Sequence, residues 1–446
     1  MYMNSTRTVI TGIGLVTPFG LAREALAEGL YARRSAVVPL PDNLSVLSDM
    51  IGFAAPCSDF VADISDFLIE DKDLKRAVKK SLKVMCRETQ MALASAQRAL
   101  RDAGLDFHGE PQPRVGTMFG SDYMLADPRS TEAAFRKSLN EAGQFHSDCF
   151  GANGVANVMP LWLLVWLPNM PACHISILNQ FLGANNSLTM NEAAANATLR
   201  YAHDTIARGW TDIMVTGATG SRLEPIRVFQ TRVSETLATP SVPCEQASRP
   251  FDRSSTGQVL GEGAAAFILE SLDHARQRGA MPLAEYLAAC DTMAGTHTAD
   301  LNQMALVPDY RTAFVNVLRK VLALSGKMPD EVGFIHAHGL GVPAVDQAEA
   351  EAIDEVFGTR STPIPVVAAK GAFGNLGAGA GAIELAAGIE ALQRGVLFPT
   401  LNFEAFAADH LFRVVTDSET PAGDCFINLS AAFTGQTSAA MLGKIK

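Results

Sequence analysis

The residues Gly183-Ala-Asn185-Asn-Ser187-Leu-Thr189-Met-Asn191-Glu192-Ala-Ala-Ala-Asn196 pass from a short β-prone run straight into an alanine-rich stretch of good helix formers. Such a junction is a strand-to-helix elbow. It presents one side chain at a helix N-terminus, where free backbone N–H groups and the positive end of the dipole would activate a thiol or stabilise an oxyanion. The side chain presented here is Glu192. A carboxylate is neither a thiol nor a nucleophile of ordinary strength, so the junction has the setting for covalent catalysis without the atom that performs it.

Four further segments carry residue types that suit the same setting. Arg7-Thr-Val-Ile10-Thr-Gly12-Ile-Gly14-Leu-Val-Thr17-Pro18-Phe-Gly20 reads as an opening strand and turn. Arg249-Pro250-Phe251-Asp252 is followed by Gly261-Glu262-Gly263-Ala264 and a strand from Ala265 to Glu270. His336-Ala-His338-Gly339 precedes Pro343 and Asp346-Gln-Ala-Glu349, and Lys370-Gly-Ala-Phe-Gly374-Asn375-Leu-Gly377-Ala-Gly379-Ala-Gly381-Ala-Ile-Glu384 comes last. Together with the elbow these segments resemble the β-ketoacyl synthases of the thiolase superfamily along essentially the whole chain. The Arg249–Asp252 segment is close to a signature of that family. The Arg7–Gly20 segment resembles its first strand and turn, the His336 segment its first-histidine motif and the Lys370 segment its lysine and second-histidine motif.

The resemblance implies a cysteine for acyl transfer and two histidines that help decarboxylate a malonyl thioester and stabilise its enolate. At those positions this chain has Glu192, His338 and Asn375, while Lys370 and Glu384 are kept. The family's two threonines after the first histidine, which hydrogen-bond a pantetheine arm, are Leu340 and Val342 here and can donate nothing. The glycine-rich gate loop becomes Ala431-Ala432-Phe433-Thr434-Gly435-Gln436, with a gate-like Phe433 and a β-carbon at Ala432 that restricts the backbone. Singly, each residue has a plainer reading: Glu192 as a first-turn acid, Asn375 as a turn residue among glycines, Leu340 and Val342 as packing, His338 as a structural histidine. Jointly, the losses fall on one active-site surface while the scaffold motifs persist. They describe a ketosynthase fold that has given up condensation.

Composition bounds the partners. With 446 residues and 48% hydrophobic content the chain can bury large cores, and a formal charge of −11 argues against nucleic acid. Seven cysteines, an odd number spread without metal-ligand spacing, suit free thiols in a reducing, cytoplasmic compartment. No metal or cofactor is expected. The start, Met-Tyr-Met-Asn-Ser-Thr-Arg, leads directly into a strand rather than a secretory signal, and the apolar run from Leu161 to Leu167 between Pro160 and Pro168 is too short to cross a bilayer.

Alternating helical and strand patterns give an α/β class. Periodic apolar residues predict one amphipathic helix from Asp73 to Gly104, an elbow helix from Asn191 to Gly209, a buried strand to Gly217 and a small-residue helix from Ala378 to Gly395. Asp273 to Gly279 reads as the linker between halves, giving an N-terminal half, 1–272, with the elbow and a C-terminal half, 273–446, with the His338 and Lys370/Asn375 motifs. The resemblance implies a thiolase-like five-layer αβαβα sandwich of two similar halves. It also implies a dimer formed through the strand around Asn186 to Thr189, with each subunit's acyl tunnel closed by the other.

The resulting expectation is a subunit like the chain-length factors of type II polyketide or fatty-acid-like synthases. An active β-ketoacyl synthase would be its heterodimer partner, and acyl carrier protein would be engaged through that partner. Met124, Leu161, Trp162 and Trp166 are candidates for the surface shown to the partner's tunnel, where a rigid indole closes an apolar channel well. Chain-length factors commonly carry glutamine at the cysteine position, so Glu192 departs even from that subgroup. Three other readings stay open: a malonyl-thioester decarboxylase, a diverged enzyme using Glu192 as general base with His338 as helper, and a silent homodimeric scaffold.

Overall fold

The computed structural model of the chain describes residues 6–107, 110–293, 295 and 308–446. Residues 1–5 of the opening segment lie outside the described residues. Five strands form the first half: β1 (Thr8–Val16), β2 (Val115–Ser121), β3 (Asn185–Thr189), β4 (Ile213–Ser221) and β5 (Glu262–Ser271). Among the described residues the second half has β6 (Ala284–Met293), β7 (Phe334–His336), β8 (Pro365–Val367), β9 (Cys425–Ala431) and β10 (Gln436–Gly443), with a two-residue strand, Arg413–Val414, added in parallel at the outer edge of β8. Every residue of β1, β2, β4 and β9 is buried. Runs rich in small and β-branched residues suit strands that are covered by helices on both faces.

The two halves repeat one topology. The first runs β3-β2-β4-β5-β1 and the second β8-β7-β9-β10-β6. In each, the first three strands are parallel and the last two antiparallel. The sheets meet where β1 pairs β6 through Thr8–Tyr286, Val9–Glu285 and Ile10–Ala284.

Helices complete five layers. On one outside lie α1 (Arg87–Asp102) and α2 (Met170–Asn179), whose Met91, Ala92 and Ile175 pack against Val115, Ile213 and Ala264. Between the sheets lie α3 (Ala194–Ala207) and α6 (Ala378–Arg394). On the other outside, α4 (Tyr310–Ser325) and α5 (Pro343–Phe357) bury Phe314, Leu318 and Ile353 against Ile427 and Met441. The alanine and glycine content of α3 and α6 lets both sit close to two sheets at once. Asn196 of α3 ties the middle layer to the second sheet by donating to the Asn428 carbonyl at 3.2 Å and accepting from Asn428 Nδ2 at 3.0 Å.

The expected single helix from Asp73 to Gly104 is broken. A helix over Lys72–Ser81 buries only Val78, a 3₁₀ turn covers Leu82–Val84, and Met85–Cys86 are extended before α1 begins. The first segment carries four lysines and an arginine and must stay at the surface, whereas α1 buries eleven residues against the sheet. No straight helix can satisfy both, so the chain steps inward at Met85. The 273–279 segment is partly helical, Leu272–Gln277, with Ser271 Oγ accepting from the His274 N–H. Among the described residues no helix is long and apolar enough to cross a membrane.

Close approach of β1 to α1 depends on glycine. A β-carbon at Gly14 would stand 2.0 Å from the Ser95 carbonyl oxygen and 2.3 Å from the Ala99 nitrogen, both rigid backbone. Gly14→Ala is therefore expected to lower unfolding free energy by about 1–3 kcal/mol or more, read as a lower urea midpoint. Gly151→Ala, where a β-carbon meets nothing within 4 Å, should leave the midpoint in place.

Candidate functional site

The elbow begins where β3 ends. Asn191 takes a left-handed conformation, φ +48°, which asparagine tolerates better than most residues, and a 3₁₀ turn over Asn191–Ala193 then feeds α3. This geometry drives Glu192 inward until it is 2% exposed. From the neighbouring strand, β4, the chain emerges at Arg222, itself 1% exposed, and a helix over Pro225–Ser234 brings Glu235 back beside it.

Five side chains close a ring. Arg222 Nη2 donates to Glu192 Oε1, and Arg222 Nη1 donates to Glu235 Oε1 at 2.8 Å. Gln258 Nε2 donates to Glu235 Oε2 at 2.8 Å. Asn375 Nδ2 donates both to Gln258 Oε1, at 2.7 Å, and to Glu192 Oε1, at 2.9 Å. One guanidinium thus serves two carboxylates, and two amides complete the link, through Glu235 Oε2 and through the same Glu192 Oε1 that takes Arg222.

This ring fixes the charge of Glu192. Burial alone would push its carboxyl up, but the Arg222 charge, the Asn375 hydrogen bond and a backbone hydrogen bond outweigh that and hold it below the usual glutamate range. Arg222 is shifted the other way. Burial opposes its charge, and the Glu192 and Glu235 carboxylates more than restore it. Glu192 is an anion held by a cation, and its Oε2 has no hydrogen-bond partner among the described residues.

His338 lies in the same charged cluster. Its Nδ1 accepts the Ala431 N–H at 3.4 Å, which leaves the proton of the neutral ring on Nε2. Burial, then the Lys370 and Arg222 charges, push this histidine well below its ordinary range, so it is neutral. Lys370 Nζ donates to the His338 carbonyl at 2.7 Å and pairs with Glu384, whose carboxyl burial raises to about 7 against the pull of that lysine. The loop after His338 is pinned from α5. Glu349 accepts from the N–H groups of His338 and Gly339 at 2.7 and 2.8 Å, and Asp346 accepts from those of Leu340 and Gly341 at 2.8 and 3.1 Å.

The fold therefore brings together Glu192, His338, Lys370, Asn375 and Glu384. Phe433 is half-buried in the β9–β10 turn, two residues beyond the Ala431 N–H that binds His338. The remaining candidates stand apart from this cluster. Leu161 is 49% exposed; Trp162 and Trp166 are half-buried on one helical turn, and Trp162 Nε1 donates to Ser130 Oγ at 3.0 Å. Met124 does not lie on an exposed surface: it is 8% exposed, with its sulfur 3.5 Å from that of Cys86. The inward step at Met85–Cys86 creates the niche that its flexible thioether fills.

Sequence reasoning missed Arg222, Glu235 and Gln258. Arg222 had a signal, because a guanidinium directly after a wholly buried strand demands a counter-ion. Glu235 and Gln258 had none. Among the described residues no cluster of three or more His, Cys, Asp or Glu side chains could hold a metal ion.

Comparison with known proteins agrees with this architecture. The models of the beta-ketoacyl synthase N-terminal and C-terminal domains match residues 5–275 and 288–404. The chain is 29% identical over 402 residues to 3-oxoacyl-(acyl-carrier-protein) synthase 2 of Coxiella burnetii, covering 90% of this chain and 89% of that one. It is 28% identical over 459 residues to the tetracenomycin polyketide synthase ketoacyl synthase alpha subunit of Streptomyces glaucescens, covering 99% and 97%. Among solved structures, the ishigamide ketosynthase/chain length factor matches with a TM-score of 0.80 at 24% identity, covering 99% of this chain and 100% of that one. A beta-ketoacyl synthase from Burkholderia phymatum STM815 matches with 0.81 at 23%, with the same coverage. At that identity the two structures speak for the fold.

Ring chemistry predicts unequal costs. Arg222→Met would leave two buried carboxylates facing each other and should cost about 3–5 kcal/mol. Glu192→Gln keeps the Arg222–Glu235 pair and should cost only about 1–2 kcal/mol. Because Glu192 is held below its ordinary value, its advantage over glutamine should be complete at neutral pH. It should decline as the pH drops past about 4.3 and vanish below the folded-state value. Urea unfolding of the three chains across pH measures both differences.

Proposed function

Since the chain belongs to the β-ketoacyl synthase family, we propose that it is a non-condensing member, a chain-length-factor-like subunit that pairs with an active β-ketoacyl synthase and shapes that partner's acyl tunnel in polyketide or fatty-acid-like biosynthesis. One observation carries the reading. The elbow side chain is a carboxylate neutralised by Arg222 inside a closed hydrogen-bonded ring, so nothing at that position can attack a thioester.

The same ring weighs against the enzymatic alternatives. A decarboxylase must accept a malonyl carboxylate beside Glu192, which is held ionised and would repel it. It also needs donors for the enolate oxygen, and both Asn375 N–H groups are already engaged, with Glu192 and Gln258. A general base should have its pKa raised toward the working pH, whereas that of Glu192 is lowered.

Support for a paired state comes from the sheet edge. Among the described residues β3 pairs only with β2, so its outer edge has no strand partner. On the adjoining segments stand exposed apolar side chains, among them Ile177 at 68% and Leu182 at 66%. The ishigamide ketosynthase/chain length factor is by its name a pairing of the kind proposed here. Free thiols at all seven cysteines suit a reducing compartment, and we place the assembly in the cytoplasm.

Incubated with an acyl carrier thioester, the purified chain is expected to show no acyl adduct by intact mass, and Glu192→Cys alone should not restore condensation. A stoichiometric adduct persisting in a Cys173→Ala chain would overturn the reading. Co-expressed with an intact β-ketoacyl synthase, the chain should co-purify as a heterodimer. Trp162→Ala should then lengthen the partner's products by a few methylenes, each worth roughly 0.8 kcal/mol of burial. Unchanged product lengths would remove Trp162 from the tunnel; failure of every ketosynthase to associate would remove the reading itself.

A further inference from the structure

We propose that the ring around Arg222 governs more than the elbow: through the helix over Pro225–Ser234 it holds Tyr123, and by way of Tyr123 it sets the placing of the apolar excursion that follows. The inference deepens the non-condensing reading, on which it rests only for the use of that surface. After β2 the chain leaves the sheet, and residues 125–168 form helical turns of three to five residues before α2 begins. They keep a small core of their own, in which the ring centroids of Phe135, Phe145 and Phe150 stand 5.6 to 6.1 Å apart. None of them belongs to the buried clusters that fill the space around the sheets. Phe135, Phe145, Val155, Leu161 and Leu163 are exposed. A segment with few buried apolar contacts depends on how its ends are held.

One end is held by Ser121, whose Oγ donates to the Pro168 carbonyl at 2.9 Å. The other is held at Tyr123 by two side chains of the helix. Arg227, which is 4% exposed, donates from Nη2 to the Tyr123 carbonyl at 2.8 Å, and its guanidinium lies 4.7 Å from the centre of the Tyr123 ring. Gln230 Nε2 donates to the Tyr123 hydroxyl, and Gln230 Oε1 accepts from Arg227 Nη1 at 3.1 Å. Among the described residues every hydrogen bond of the Arg227 guanidinium goes to Gln230 or Tyr123. Three residues apart, the two side chains share one face of the helix and grip the backbone, ring and hydroxyl of Tyr123 together.

The helix in turn depends on the ring. Of its ten residues only Arg227, Val228 and Thr231 are buried, while Phe229 and Val233 are exposed. Apolar packing therefore fixes it weakly. Arg222 precedes the helix and Glu235 follows it, and the 2.8 Å bond between them draws both ends to one point. Opening that pair frees a helix with little else to hold it, and Tyr123 moves with the side chains that grip it. Arg227 is in this sense a positioning residue for the excursion.

Hydrogen exchange of the full-length chain, read by mass spectrometry, tests each link. Arg227→Met cuts the grip, and Glu235→Gln opens the ring at a residue whose own bonds go to Arg222 and Gln258. Each is expected to speed exchange over residues 128–165 by at least about tenfold, with peptides of α6 within a factor of about two of wild type. Arg232→Ala, on the same helix but bonded to the Asp49 carbonyl, should change neither region. Unchanged exchange over 128–165 in the Glu235→Gln chain overturns the coupling. Equal acceleration of α6 assigns the effect to global loosening and overturns it as well.

Two further chains keep the test decisive. Should Arg227→Met not fold, Gln230→Leu removes the second grip from a half-buried site and should give the same selective rise, at about threefold; no rise there sinks the proposal. In Arg227→Met/Glu235→Gln the two accelerations should fall short of their product, because both changes break one line of contacts. A full product means independent effects and no coupling. These readings use the chain alone, so their failure leaves the non-condensing reading in place, whereas failure of every ketosynthase to associate would remove that reading and leave the coupling standing.

Discussion

A guanidinium cannot stand alone in a protein interior, and Arg222 is 1% exposed. Its desolvation cost is several kcal/mol, so the fold must supply counter-charge and geometry together. It does so from both sides, with Glu192 and Glu235, and the amides of Asn375 and Gln258 then close the circuit. The ring joins the elbow after β3, the end of β4, the helix that follows it, the strand leading to β5 and the glycine-rich turn before α6. Moving any one of these would leave a buried charge or amide unpaired. Where the family resemblance places a reactive group, this chain has a hydrogen-bonded ion pair, with Glu192 Oε2 and Arg222 Nε left without a partner among the described residues.

Satisfaction has a consequence for chemistry. In an active elbow the helix N-terminus stabilises charge that appears only during reaction. Here a permanent negative charge already occupies that position and is already answered by Arg222. His338 is neutral because it is buried, and the Lys370 and Arg222 charges add to that effect. The surroundings of both residues therefore favour one fixed protonation state, which is the opposite of what acid–base catalysis requires.

The sheet edge is a second feature of the fold. Among the described residues β3 pairs on one side only, and exposed apolar side chains such as Ile177 and Leu182 lie on the adjoining segments. Relatives in this family, such as the Coxiella and Streptomyces synthases, share the chain over nine-tenths of its length or more at 28–29% identity.

Much of this was legible in the residue order because it is local. The elbow follows from a β-prone run meeting an alanine-rich one, α6 follows from its small residues and closing glycine, and the residues at 192, 340, 342 and 375 can be set against the family resemblance one by one. The break at Met85 could not be read, since periodicity continues through it and only the need to bury α1 while keeping five basic residues wet decides it. Nor could the inward turn of Met124, whose niche exists because of that break. The ring itself lay furthest from view. Its members stand at 192, 222, 235, 258 and 375, each with an ordinary local reading, and they become one structure only when two sheets and a middle layer of helices bring their side chains within hydrogen-bonding range. Local propensity determines which elements form; long-range pairing of buried charge determines what their ends can do.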